Sequence, residues 1–195
     1  MRILFITGSP PYPTSIGSNQ RSAHLYRALA QRGAVDLFLA IDEYELPEEH
    51  LAEMRKNYGL VGISAPLRRG QRGVWRLFRP FAPGLVDRAA DYLADRRGDY
   101  RADPNLAQAL ASLMGRTHYD VVAAKLLSLA MKTGIPPDFP FLLDVDDAES
   151  ERLKSQIDNP HSSWSAKLLA VWRLSQLANF VPDLYRRFRH CWVIK

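Results

Sequence analysis

Six short apolar runs, RILFI, VDLFLAI, LVGIS, DVVAA, FLLDV and CWVIK, constrain this chain more than any other feature. Nearly unbroken hydrophobicity over such short spans marks strands covered on both faces, which is the pattern of a parallel sheet. Between the runs the periodicity turns helical. Asn19 to Arg32 closes on Gly33, Glu45 to Asn57 on Gly59, Leu85 to Arg97 on Gly98, and Asn105 to Met114 on Gly115. Each glycine there is a natural helix stop. An apolar-striped region from Trp164 to Phe188 is expected to break near Pro182, because proline removes a backbone donor and crowds the preceding turn. The alternation predicts one doubly wound α/β domain over residues 1–195, with a mainly parallel sheet of about six strands flanked by helices. No fixed-period repeat, low-complexity tract or linker interrupts it.

A chain of 195 residues can bury a substantial core, and 47% hydrophobic with 24% charged residues is a globular composition. The one cysteine, Cys191, has no internal disulfide partner and sits in an apolar run, which favours an inert thiol in a reducing, cytoplasmic setting. The apolar segment at the N-terminus is too short for a signal peptide, and no stretch approaches the ~20 residues of a membrane span.

The formal charge of +5 is local in origin. PLRRGQRGVWRLFRPF carries Arg68, Arg69, Arg72, Arg76 and Arg79 with no acid, and without those five the basic and acidic residues balance. The excess points to an anionic partner for this segment, and away from a general nucleic-acid surface. Trp75, Leu77, Phe78 and Phe81 lie among the arginines, a pattern suited to an anionic membrane or to a phosphorylated or lipid-linked ligand. A solvated loop pinned to the core by its aromatics is the plainer alternative.

In a doubly wound sheet, ligands sit beyond the C-terminal ends of the strands. Four places qualify: the opening loop, Ser64 to Pro66, Lys125, and the acidic run after FLL. The opening loop reads ITGSPPYPTSIGSNQR, with neither the GxGxxG of a dinucleotide site nor the GxxxxGK[ST] of a P-loop. It is a proline-bent excursion that returns at Gly17, where a small residue lets backbone amides approach a ligand. Ser18 or Asn19 would then cap the helix. Arg21 falls in the first turn, where a cation opposes the helix dipole and so suggests a nearby anion. His24 shares its helical face, and surface exposure or a structural hydrogen bond is the plainer reading of that pair.

The run FLLDVDDAES gathers Asp144, Asp146, Asp147 and Glu149 just after a buried strand. Asp146 and Glu149 match a capping box at a helix start. That leaves Asp144, at the strand end, free to accept from sugar hydroxyls, bind a metal or act as a base. The D-x-D of Asp144 and Asp146 also occurs in haloacid-dehalogenase-type phosphatases and metal-dependent glycosyltransferases. Only some fifty residues follow it here, with no place for the other catalytic elements. The pair Glu45 and Glu53 spells E-x7-E but lies on a charged amphipathic helix, so coincidence explains it.

Taken in order, RILFITGSPPYPTSIGSNQRSAHLYRALAQRGAVDLFLA, YDVVAAK, FLLDVDDAES and the late HCWVIK resemble the N-terminal, acceptor-side domain of GT-B glycosyltransferases, particularly the retaining family-four type that builds bacterial surface polysaccharide. The resemblance covers essentially the whole chain. It implies a Rossmann-like half of a two-domain enzyme, with the nucleotide-sugar donor held by a second half that this chain lacks. By position, Gly17 with its neighbours Ser18, Asn19 and Arg21 would face the donor phosphates, and Lys125, Asp144 and Asp146 would border the acceptor pocket. Relatives often carry histidine where this chain has Ala123, Ala124 and Lys125. The family's donor-phosphate Arg/Lys pair is absent, and no catalytic residue is assigned.

The expected function is therefore half of an enzyme moving a sugar from a nucleotide sugar to a hydroxyl, inactive alone. The expected partners are an acceptor glycan or lipid-linked sugar, a donor-binding domain or subunit, and an anionic membrane met by Arg69, Arg72, Trp75, Arg76 and Arg79. No metal, resident cofactor or nucleic acid is implied. The expected location is cytoplasmic, peripheral at the inner face of the plasma membrane. A non-catalytic docking module of the same fold is the alternative.

Overall fold

The computed structural model describes residues 1–41, 46–66, 80, 102–136, 138–145, 149–185 and 190–193. Six strands are present: β1 (Arg2–Thr7), β2 (Ala34–Leu39), β3 (Leu60–Ile63), β4 (Val121–Lys125), β5 (Phe141–Val145) and β6 (His190–Val193). The described helices are α1 (Gly17–Ala30), α2 (Glu48–Asn57), α3 (Pro104–Arg116), α4 (Leu127–Lys132), α5 (Glu149–Asp158) and α6 (Trp164–Tyr185). The strands lie in the order β3-β2-β1-β4-β5-β6, and β1 to β5 are joined by parallel pairings. This is the doubly wound, Rossmann-like α/β fold that the apolar runs predict.

β1 shows why the sheet forms. Ile3 and Phe5 pack with Leu37 and Leu39 of β2, Leu29 of α1, and Leu51 and Met54 of α2. The alternate residues Leu4 and Ile6 are equally buried, so β1 is covered on both faces. Fully burying side chains of this size stabilises the fold by about 1.5–3 kcal/mol each.

The chain packs as two compact units. One contains Met1–Pro66, Tyr100–Asp144 and Phe188–Trp192; the other contains Leu67–Asp99, Val145–Arg187 and Val193–Lys195. Within the second, α5 packs against α6.

Several helix ends differ from the expected ones. α1 starts at Gly17 with Ile16 at its N-cap and no capping side chain, so neither Ser18 nor Asn19 caps it. It ends at Ala30, with Gln31 as its right-handed C-cap. Gly33 has a different purpose: a Cβ there would lie 2.2 Å from the Met1 carbonyl oxygen, so close approach of the chain excludes a side chain. Gly59 does stop α2, in a left-handed conformation at φ +56°. Gly115 lies inside α3, which continues to Arg116. The start of α3 is specified more strongly than its end: Asp103 accepts from the Asn105 and Leu106 amides, both at 3.1 Å, and Pro104 opens the first turn. α6 runs through Pro182 and ends three residues later at Tyr185. A proline in the last turn interrupts little of the ladder before it. The expected helix Leu85 to Arg97 lies outside the described residues.

Candidate functional site

In this strand order the topological switch falls between β1 and β4, from which the connections wind in opposite directions. The crevice expected there opens at the C-terminal ends of the two strands, where Thr7 and Lys125 stand. The register sets Lys125 of β4 beside Asp144 of β5. The β1–α1 loop reaches the same edge, because α1 begins where the proline-bent segment returns.

The loop is held by the first turn of the helix it precedes. The Asn19 side-chain amide donates to the Pro13 carbonyl at 2.9 Å, and that of Gln20 donates to the Thr14 carbonyl at 3.0 Å. The Tyr12–Pro13 peptide is cis, and the Tyr12 ring meets His50 edge-on at 5.4 Å between centroids. Asn19 thus closes the loop rather than capping the helix, and it is buried in doing so.

Beneath the loop runs a line of hydroxyls. The Ser9 amide donates to Thr7 Oγ1 at 3.0 Å, and that hydroxyl lies 3.3 Å from Ser22 Oγ. Ser22 can donate to the Ser18 carbonyl at 3.1 Å and Thr7 to the Ser9 carbonyl at 3.1 Å, so each hydroxyl has a backbone acceptor beside the contact they share. The Ser18 carbonyl also receives the Lys125 ammonium, Nζ to O 2.8 Å. Lys125 is only 1% exposed, so its charge is almost wholly withdrawn from water and reaches the first turn of α1 through a charge-assisted bond.

Arg21 makes the second link. Its Nε donates to Asp144 Oδ2 at 3.1 Å and its Nη2 to Asp144 Oδ1 at 2.8 Å, a bidentate fork between α1 and the end of β5. The arginine side chain is 24% exposed and the aspartate side chain 8%. The anion that a first-turn cation calls for is Asp144. Its carboxylate oxygens can also accept from hydroxyl donors, since each has more than one lone pair.

Gly17, Ser18, Asn19, Arg21, Lys125 and Asp144 therefore gather along one edge of the sheet. Gly17 is exposed there, and a Cβ added to it would meet nothing within 4 Å. Packing therefore does not require that glycine. His24, in contrast, is exposed and does not share the Arg21 fork. Ser64 to Pro66 follow β3 at the far edge of the sheet, two strands from β1. Asp146 and the segment containing Arg69, Arg72, Trp75, Arg76 and Arg79 lie outside the described residues. Among the described residues, no group of three or more His, Cys, Asp or Glu side chains could hold a metal ion.

Sequence reasoning missed Thr7, Ser22 and Leu126. Leu126 has φ 77° and ψ 134°, a backbone conformation that L-residues other than glycine seldom adopt, and its amide donates to the Asp144 carbonyl at 2.8 Å. Only the i to i+4 spacing of Ser18 and Ser22 hinted at the hydroxyl line; nothing local marked Leu126. Compared with known protein families, curated proteins and solved structures, the chain matches none.

Proposed function

We propose that the chain is the acceptor-side half of a two-lobed, GT-B-type glycosyltransferase, working in cell-surface glycan or polysaccharide synthesis. The observation that carries this reading is the convergence of a glycine-poor, proline-bent β1–α1 loop with Lys125 and the Arg21–Asp144 fork at the switch point of the sheet. A tight glycine turn built to wrap a pyrophosphate is absent from that loop. The exposed turn at Gly17 suits an approach by phosphate oxygens from a facing donor lobe. The oxygens of Asp144 suit the hydroxyls of a sugar.

In the proposed reaction the bond from the sugar anomeric carbon to the nucleoside diphosphate breaks, and a bond to the acceptor oxygen replaces it. The departing diphosphate takes the electron pair of the broken bond and the proton that the acceptor hydroxyl gives up. Transition-state stabilisation would come from fixed dipoles and cations around that diphosphate, and the donor lobe would supply most of them. The chain alone should therefore release no sugar from radiolabelled nucleotide sugars offered with a panel of alkyl glycosides. Measurable transfer by the purified 195-residue chain would overturn the half-enzyme reading.

A second reading, a non-catalytic membrane- or partner-docking module of the same fold, is favoured by the arginine and aromatic residues at 68–81 of the sequence and by the exposed Trp164, Leu168 and Val171 of α6. No helix among the described residues is long and apolar enough to cross a membrane.

A further inference from the structure

In the second unit, the described large apolar residues that remain exposed are Trp164, Leu168 and Val171, at 74%, 52% and 50%. All three lie on α6. At 100° per residue they fall within an arc of about 60°, spaced i, i+4, i+7 on one face. Ala170, on a different face of the same helix, is buried. α6 is therefore apolar on two sides: one packs within its unit, and the other carries a row of large side chains. Single exposed apolar residues are ordinary, but such a row marks a surface that something covers.

Charge indicates what covers it. Of the 26 basic and 21 acidic residues, the first unit holds 11 of each, while the second holds 15 basic and 10 acidic. The whole excess of +5 thus belongs to the unit that exposes the row. Lys167 lies beside the row, three residues after Trp164 and four before Val171. A tryptophan at one end of an aliphatic row is also well placed for the boundary between headgroups and acyl chains.

We infer that the Trp164–Leu168–Val171 face of α6 is a docking surface for an anionic lipid bilayer, lying in the plane of the interface with its apolar side chains below the headgroups. This face is separate in sequence from the arginine segment around Arg72, whose five arginines equal the excess charge of the unit, and the inference deepens the membrane-docking reading without depending on the sugar-transfer one. Apolar burial supplies part of the attraction. The net charge of the unit supplies a salt-sensitive remainder.

The test is flotation of the full chain with vesicles of phosphatidylcholine alone and of phosphatidylcholine mixed with phosphatidylglycerol. The wild-type chain should float with the mixed vesicles, more weakly as salt rises, and only poorly with the neutral ones. Replacing the three exposed side chains in Trp164→Ser/Leu168→Ser/Val171→Ser should reduce partitioning by about tenfold or more, with the circular dichroism spectrum retained. A second measurement uses the wild type and the apolar variant Trp164→Phe with brominated-chain lipid. Tryptophan emission of the wild type should be quenched on binding, and the quenched share should fall in the variant. Equal flotation of wild type and triple variant overturns the inference, as does an unchanged quenched share. A wild type that ignores both vesicle types but loses a dimer mass when the row is replaced also overturns it, because the face would then bind a second copy.

Discussion

The Arg21–Asp144 fork is the most direct handle on how the rim is held together. Asp144→Asn keeps the shape but removes the charge, leaving the guanidinium an amide in place of a carboxylate. A hydrogen bond to a charged group contributes about 1.5–3 kcal/mol net, and breaking one partner of a buried pair costs about 3–5 kcal/mol. Arg21 retains 24% exposure, so water can recover part of its solvation. The expected loss for Asp144→Asn is therefore about 2 kcal/mol. Arg21→Met is expected to cost about 3 kcal/mol, because it strands a carboxylate whose side chain is only 8% exposed. The double variant should also lose about 3 kcal/mol, which gives a coupling of about 2 kcal/mol. Urea unfolding measures these differences as midpoint shifts at constant slope, and hydrogen exchange of the β4 and β5 amides localises them. Additive losses, or an Asp144→Asn variant within about 0.5 kcal/mol of wild type, would refute the reasoning.

Two glycines of the first unit should answer alanine in opposite ways. Gly17→Ala meets open space in a helix and should leave stability unchanged or raise it by up to about 1 kcal/mol, while Gly33→Ala drives a methyl into the Met1 carbonyl and should lower it by about 1–2 kcal/mol; thermal melts of both decide the matter. Tyr119 is buried and donates to Asp36 Oδ2 at 2.8 Å, and burial first, then that bond, holds its phenol well above the ordinary 10.0. The neutral phenol's contribution is fully present below about pH 10 and is lost as pH climbs from there toward the raised folded-state value. Tyr119→Phe should cost about 1 kcal/mol at neutral pH and flatten the alkaline decline, leaving the smaller part due to Tyr26, whose phenol burial also raises. An alkaline stability curve parallel to wild type would contradict this.

Although the edge strand β3 is only half-buried, the sheet was readable, because the central strands β1 and β4 are buried on both faces and so read as nearly unbroken apolar runs. Strand order was not, since it depends on which way each crossover turns. Helix ends were read through glycine and failed where glycine served another purpose. Gly33 is small because Met1 passes over it, and no local signal reports a neighbour 32 residues away. The cation at Arg21 announced an anion but not its identity, because the partner lies 123 residues along the chain. Thr7 and Ser22 were silent for the same reason: their meeting is a product of packing α1 on β1. Asn19 carried a true signal with the wrong consequence, since an amide that could cap a helix can equally tie down the loop before it.

The claim on which the account depends is that the edge carrying Gly17, Lys125 and Asp144 receives a sugar. Amide shifts of the isotopically labelled chain, followed during titration with octyl glucoside below its micelle concentration, test this most directly. The account predicts saturable changes at Gly17 to Arg21, at Leu126 and at Asp144. Changes confined to the opposite ends of the strands, around Arg2, Gly33 and Asp120, or no saturable change at all, would contradict it.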